Sequence, residues 1–142
     1  MTDEGFKLVR ESPFGRVYYN SSRAVVRVAR TDLPFRVDAI DEEVDGLLSA
    51  LAGIPLEKTA LLLDVREVMG RNDEAFEAAS MSVRLRFIAR FGRAAILVRT
   101  LAGKLQGQRF VREDKISQSS LVTDDLARAL AFLAEWTGDE LV

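Results

Sequence analysis

Apolar residues recur along the chain with two different periods, and the changes of period mark the elements. RVYYN (16–20) and RAVVRVAR (23–30) are short runs rich in valine and tyrosine. Asn20, Ser21 and Ser22 part them, which is turn chemistry and predicts a hairpin. A weaker strand is expected upstream, around Phe6–Arg10. The period then lengthens. Ile40, Val44, Leu47, Leu48 and Leu51 fall at i, i+4, i+7, i+8 and i+11, the spacing of one buried helical face. Asp38 is the expected N-cap, with Asp41, Glu42 and Glu43 in the first turn where the helix dipole favours acids. Gly53 and Pro55 stop that helix.

The second half alternates between these patterns. Thr59–Val65 is almost wholly apolar and of strand length, as expected of a strand covered on both faces. A helix is expected over 73–91, capped by Asn72 or Asp73, with Phe76, Ser80, Val83, Phe87 and Phe91 on one face. RAAILVR (93–99) repeats the buried-strand pattern, and TLAGKLQGQRFVRE (100–113) reads as a helix weakened by glycine. ISQSSLV (116–122) is polar enough for an edge strand. Thr123 is expected to cap a last helix with Leu126, Leu130 and Leu133 as its stripe, widened by Phe132 and Trp136 and ended by Gly138.

Strands alternating with helices predict an α/β fold. The expectation is a single domain over 1–142, with its core at about 16–136. It has a mostly parallel four- to five-stranded sheet, an N-terminal hairpin and about four helices. A chain of 142 residues is long enough to bury roughly two-thirds of its unfolded surface. In such sheets ligands and partners meet the loops at the carboxyl ends of the strands. LLLDVREVMGRND (61–73) lies there, an apolar strand that turns abruptly into carboxylates, arginines and a glycine.

Composition narrows what that loop can do. The chain has no cysteine and no histidine. Disulfides, thiol nucleophiles, Ser-His-Asp and Cys-His catalysis are thereby excluded, along with the commonest neutral-pH base. Asp64, Glu67, Asp73 and Glu74 resemble a hard-cation set, but Arg66 and Arg71 oppose it, so no metal is expected. No GxGxxG occurs. AGK at 102–104 lacks the upstream glycine of a phosphate loop, since position 98 is valine, and Leu105 stands where a hydroxyl would hold magnesium. No cofactor and no catalytic residue are expected. The first residues, MTDEG, do not read as a signal peptide and no apolar run approaches the ~18 residues of a membrane span, so a cytoplasmic protein is expected.

The net charge of −2 hides an asymmetry. Residues 32–77 hold twelve acidic and four basic side chains, and residues 84–115 hold nine basic and two acidic ones. Either the two stretches neighbour each other and compensate, or they leave a basic face for an acidic partner. They could also pair between two copies, which allows a homodimer. The arginines scatter over several elements without aromatic stacking platforms, so no nucleic acid is expected.

LLLDVREVMGRND, followed by FGRAAILV and AGKLQGQRF in this element order, resembles the STAS fold typified by bacterial anti-sigma-factor antagonists. The resemblance spans about 16–136 and implies a non-catalytic regulatory module that docks a protein partner in bacterial signalling. The family's switch is a serine at the start of the helix after the central strand, phosphorylated by a partner kinase. A phosphate there would meet free N–H groups and the helix dipole. Set against that pattern, Asn72 and Asp73 occupy the place of the family's Asp-Ser pair, so the phosphorylatable hydroxyl is missing. Asp73 is then either a helix cap or a fixed negative charge. Arg66, Arg71, Asn72 and Asp73 are the expected partner-binding residues, with Arg84 and Arg90 as secondary contacts. The alternative is a domain that binds a lipid or other small apolar ligand, in a pocket between sheet and helices lined by Phe76, Phe87 and Phe91.

Overall fold

The computed structural model describes residues 5–33, 37–68, 81, 83–113 and 119–137. Six strands form one sheet: β1 (Lys7–Ser12), β2 (Gly15–Asn20), β3 (Val25–Arg30), β4 (Ala60–Asp64), β5 (Arg93–Leu97) and β6 (Ser120–Thr123). Their spatial order is their chain order. β1, β2 and β3 run antiparallel, and β3 through β6 are parallel. Three helices are described in full: α1 (Ile40–Ala50), α2 (Leu101–Glu113) and α3 (Leu126–Thr137). Residues 81 and 83–86 are also helical. The class is the expected one, an α/β sheet with parallel strands, but it has six strands. The upstream strand is a full partner of β2, so the hairpin is a three-stranded meander. Its apolar content is low because it is an edge strand, exposed along most of its length.

Each parallel strand is added beside its predecessor, so right-handed crossovers set the intervening helices on the same face. That face carries the larger core. Val26, Val28, Leu61, Leu63, Ala94 and Ile96 meet Val44 and Leu47 of α1 together with Phe87, Ile88 and Phe91. On the other face Val25, Ala60, Leu62 and Ala95 are covered by Ala129, Leu130 and Leu133 of α3. Alternate residues of β4 thus face opposite cores, which explains its unbroken apolar run.

Several boundaries differ from the expectation, each for a local reason. Asp38 sits inside a 3-10 turn, Val37–Ala39, and Ala39 is the N-cap of α1 without a side-chain cap bond. The expected helix over 73–91 ends early. Residues 81 and 83–86 are helical, and the chain then turns at Phe87 (φ −121, ψ −66) into the 3-10 turn Ile88–Arg90. The tighter winding seats both Phe87 and Phe91 in the core, ring to ring at 5.2 Å. It also delivers Gly92 to a place where a side chain would strike Trp136 and lie 2.6 Å from the Glu57 carbonyl. Thr123 belongs to β6, and the cap of α3 is Asp125, whose Oδ1 accepts from the Ala127 and Arg128 N–H groups. Thr123 Oγ1 accepts from the Asp125 N–H one step earlier. The β2–β3 turn has the expected chemistry. Asn20 Oδ1 accepts from Ser22 Oγ and the Arg23 N–H, and Ala24 takes the left-handed conformation with φ 54.

A buried polar contact pins α1 to the meander. Glu43 is 9% exposed and accepts from Arg10 Nη2 at 3.1 Å and Ser12 Oγ at 3.0 Å. Arg30 lies nearby, its guanidinium lowered to about 10 by burial and held up against that by the charge of Glu43.

Candidate functional site

α3 shields only part of its face of the sheet. Toward the carboxyl ends of β3 and β4 the register lines up Glu11, Arg16, Ala29 and Asp64 across four strands, with Tyr18 and Arg27 in the next row. These side chains share the α3 face, and no described helix lies over them. Arg16 Nε donates to Glu11 Oε2 at 2.5 Å, and the Arg27 guanidinium lies 5.5 Å from the Tyr18 ring centre. With Ala29, Thr31, Asp32 and Glu67 they line a wide, open groove.

Asp64 ends β4 and organises the loop. Its Oδ1 accepts from the Arg66 backbone N–H at 3.1 Å and from Arg66 Nε at 3.0 Å, and its Oδ2 accepts from Arg66 Nη2 at 2.8 Å. This is a bidentate arginine–carboxylate clasp closed over two residues. The Val68 N–H donates to the Val65 carbonyl and completes the turn. Burial pushes the Asp64 carboxyl up, but the Arg66 hydrogen bonds, then the charges of Arg66 and Arg27, outweigh it and hold it below its ordinary value. A carboxylate so held contributes stability above its ordinary titration range, and that contribution is lost as pH falls through the range toward the lower folded value. Asp64→Asn is therefore expected to flatten the loss of melting temperature between about pH 5 and about pH 3, the carboxylate range. Thermal melts of both proteins across that interval check it, and parallel curves would refute the clasp.

The expected partner-binding residues do not fall together. Arg66 is half-exposed in the clasp. Arg71, Asn72, Asp73 and Phe76 lie outside the described residues. Arg84 is buried, at 7% exposure, and therefore presents no surface contact in this arrangement. Arg90 is exposed, with Nε donating to the Arg86 carbonyl at 2.7 Å. Phe87 and Phe91, expected to line a pocket, are packed in the core at 1% and 5% exposure. Arg16, Tyr18 and Arg27 were missed by reading for runs. The signal was the polar phase of the strand alternation, which sets them off the larger core face. Among the described residues no group of three or more metal-ligating side chains is assembled, and no helix is long and apolar enough to cross a membrane.

No protein-family model matches the chain, and no curated protein does. A solved structure does match: an uncharacterized protein of the DUF3478 family with a SpoIIAA-like fold, from Shewanella loihica PV-4. The likeness covers 90% of this chain and 91% of that one, with a TM-score of 0.51 and 19% sequence identity. The fold is SpoIIAA-like. At that identity the likeness concerns architecture, and it agrees with the STAS resemblance drawn from LLLDVREVMGRND. Within this fold the Asp64–Arg66 clasp stands at the carboxyl end of β4.

Proposed function

We propose that this chain is a non-catalytic regulatory module that docks a protein partner in bacterial signalling. Docking uses the loop after β4 and the row of side chains beside it. The observation that carries this reading is the clasp. Arg66 is fixed by three hydrogen bonds to Asp64 yet remains half-exposed, so it meets a partner with little ordering cost. The neighbouring row, Glu11, Arg16, Tyr18 and Arg27, is charged and aromatic, the composition of an interface rim around an anchor. Two things weigh against an apolar-ligand domain: Phe87 and Phe91 are core residues, and most residues lining the open groove are charged or polar. The lack of histidine and cysteine supports a non-catalytic role.

Because position 73 carries a carboxylate, the docking surface is not set by a phosphoserine there. Arg66→Glu or Arg71→Glu is expected to weaken partner capture about tenfold or more, the loss typical of an interface arginine. Asp73→Ala acts in the same direction. The measurement is quantitative pull-down from native extract by wild type and variants in parallel, with thermal melts to confirm that each variant folds. Equal capture by all the folded variants would overturn the reading.

A further inference from the structure

Among the described residues, the outer edge of β1 has no strand beside it. The opposite edge is better protected: β6 is four residues long, Val122 and Thr123 are buried, and α2 and α3 both lie against it. β1 is six residues long, contains no proline, and exposes Leu8 at 51% and Val9 at 38%. An apolar edge strand of this kind is a template for another strand.

Pairing with β2 fixes the side to which each residue of β1 belongs. Lys7, Arg10 and Ser12 stand opposite Tyr19, Val17 and Gly15, on the α1 side. Leu8 and Glu11 stand opposite Tyr18 and Arg16, on the α3 side. Val9 is an extra residue between the two sets, a bulge. When two copies of β1 are laid antiparallel, only two registers that pair four or more residues match side with side. One sets Lys7 against Arg10 of the second copy, like charge against like. The other pairs all six residues: Lys7 with Ser12 of the second copy, Leu8 with its Glu11, and Val9 with its Arg10. No like charges stand opposite each other in that register. The charges nearest its centre are already met within each chain, Arg10 by Glu43 at 3.1 Å and Glu11 by Arg16.

We propose that β1 pairs antiparallel with β1 of a second copy in this register, so that two sheets become one across a two-fold axis perpendicular to them. The contact is isologous and closes as a dimer. Leu8 and Val9 of both chains come to the middle of the joint. The axis keeps the α3 faces of the two copies on the same side, so the groove beside Glu11 lies next to its mate. The dimer does not rest on the docking reading, and failure of partner capture leaves it standing.

Sedimentation velocity on the full chain tests this. The weight-average sedimentation coefficient climbs with concentration from the monomer value to that of a dimer and goes no further. Leu8→Glu sets a carboxylate against Glu11 of the second copy twice over and raises the concentration needed about tenfold. Leu8→Lys sets an ammonium there and does not. Loss of apolar contact alone would weaken both variants alike. Because the chain has no cysteine, a mixture of Leu8→Cys and Glu11→Cys chains reads the register directly. Under mild oxidation the mixture cross-links into a heterodimer, and neither variant cross-links on its own. Circular dichroism confirms that each variant is folded. A wild-type chain that stays monomeric at every concentration overturns the proposal and leaves the edge to a strand of another protein. Equal weakening by the two charges overturns it as well, as does cross-linking by either cysteine variant alone.

Discussion

Phe87→Ala lowers the unfolding free energy by about 3–5 kcal/mol, the range for deleting a fully buried aromatic ring. Phe87 is 1% exposed, stacks edge-to-face on Phe91, and sits where the helical residues 83–86 give way to the 3-10 turn before β5. Its loss removes transfer free energy, leaves a cavity and takes away the ring pair, which itself is worth about 0.5–1.5 kcal/mol. For a domain whose total stability is about 5–15 kcal/mol this is a large fraction. Urea denaturation gives the answer as a lower midpoint at unchanged slope. The same experiment judges the apolar-ligand alternative. A ring lining an open pocket is already solvated on one side, so a cost below about 1 kcal/mol would put Phe87 at a cavity wall and not in the core.

The second large effect comes from Glu43. Glu43→Ala is expected to cost about 3 kcal/mol, because it withdraws the carboxylate from beside Arg10 and Arg30 and leaves those cations in a half-buried, low-dielectric site. Glu43→Gln keeps an acceptor for Ser12 and costs about half as much, since only the charge is lost. If the polar contact matters through desolvation more than attraction, Glu43→Leu combined with Arg10→Met regains most of the loss. Urea midpoints for the three proteins separate these outcomes. A single Glu43→Ala change costing less than about 0.5 kcal/mol would show that α1 is held by its apolar stripe alone.

What could be read from residues alone divides along physical lines. β4, β5 and α1 declare themselves, because a strand buried on both faces must be apolar throughout and α1 buries one continuous stripe. β1 is faint for the opposite reason: its residues are mostly exposed, so burial writes no pattern on them. Cap identities are not fixed by residue type alone. Asp38, Thr123 and Asp125 are all suitable capping residues, and only the local turn decides that Asp125 caps α3 while Asp38 falls in a 3-10 turn. The close packing of Gly92, just after that turn, against Trp136 and the Glu57 carbonyl is set by residues far away in the chain, and no local window contains that constraint. The Asp64–Arg66 clasp is the reverse case. Two residues apart at a strand end, the pair is local and legible, whereas the groove with Arg16, Tyr18 and Arg27 depends on strand register.

Identity of spatial and chain order has a consequence for how the molecule is made. Each new strand docks on the one synthesised just before it, so the sheet can lengthen at a single growing edge, and no gap must be held open for a later strand. Pairing is local only in the β1–β3 meander; Val25 meets Ala60, and Ala60 meets Arg93, across long loops, and such parallel pairing is slow. The faces mature unequally. The α1 side gains cover as each crossover is completed, whereas Val25, Ala60, Leu62 and Ala95 wait for residues 126–137. Until that helix is made, the strip is exposed apolar surface of the kind that makes incomplete folds prone to aggregate.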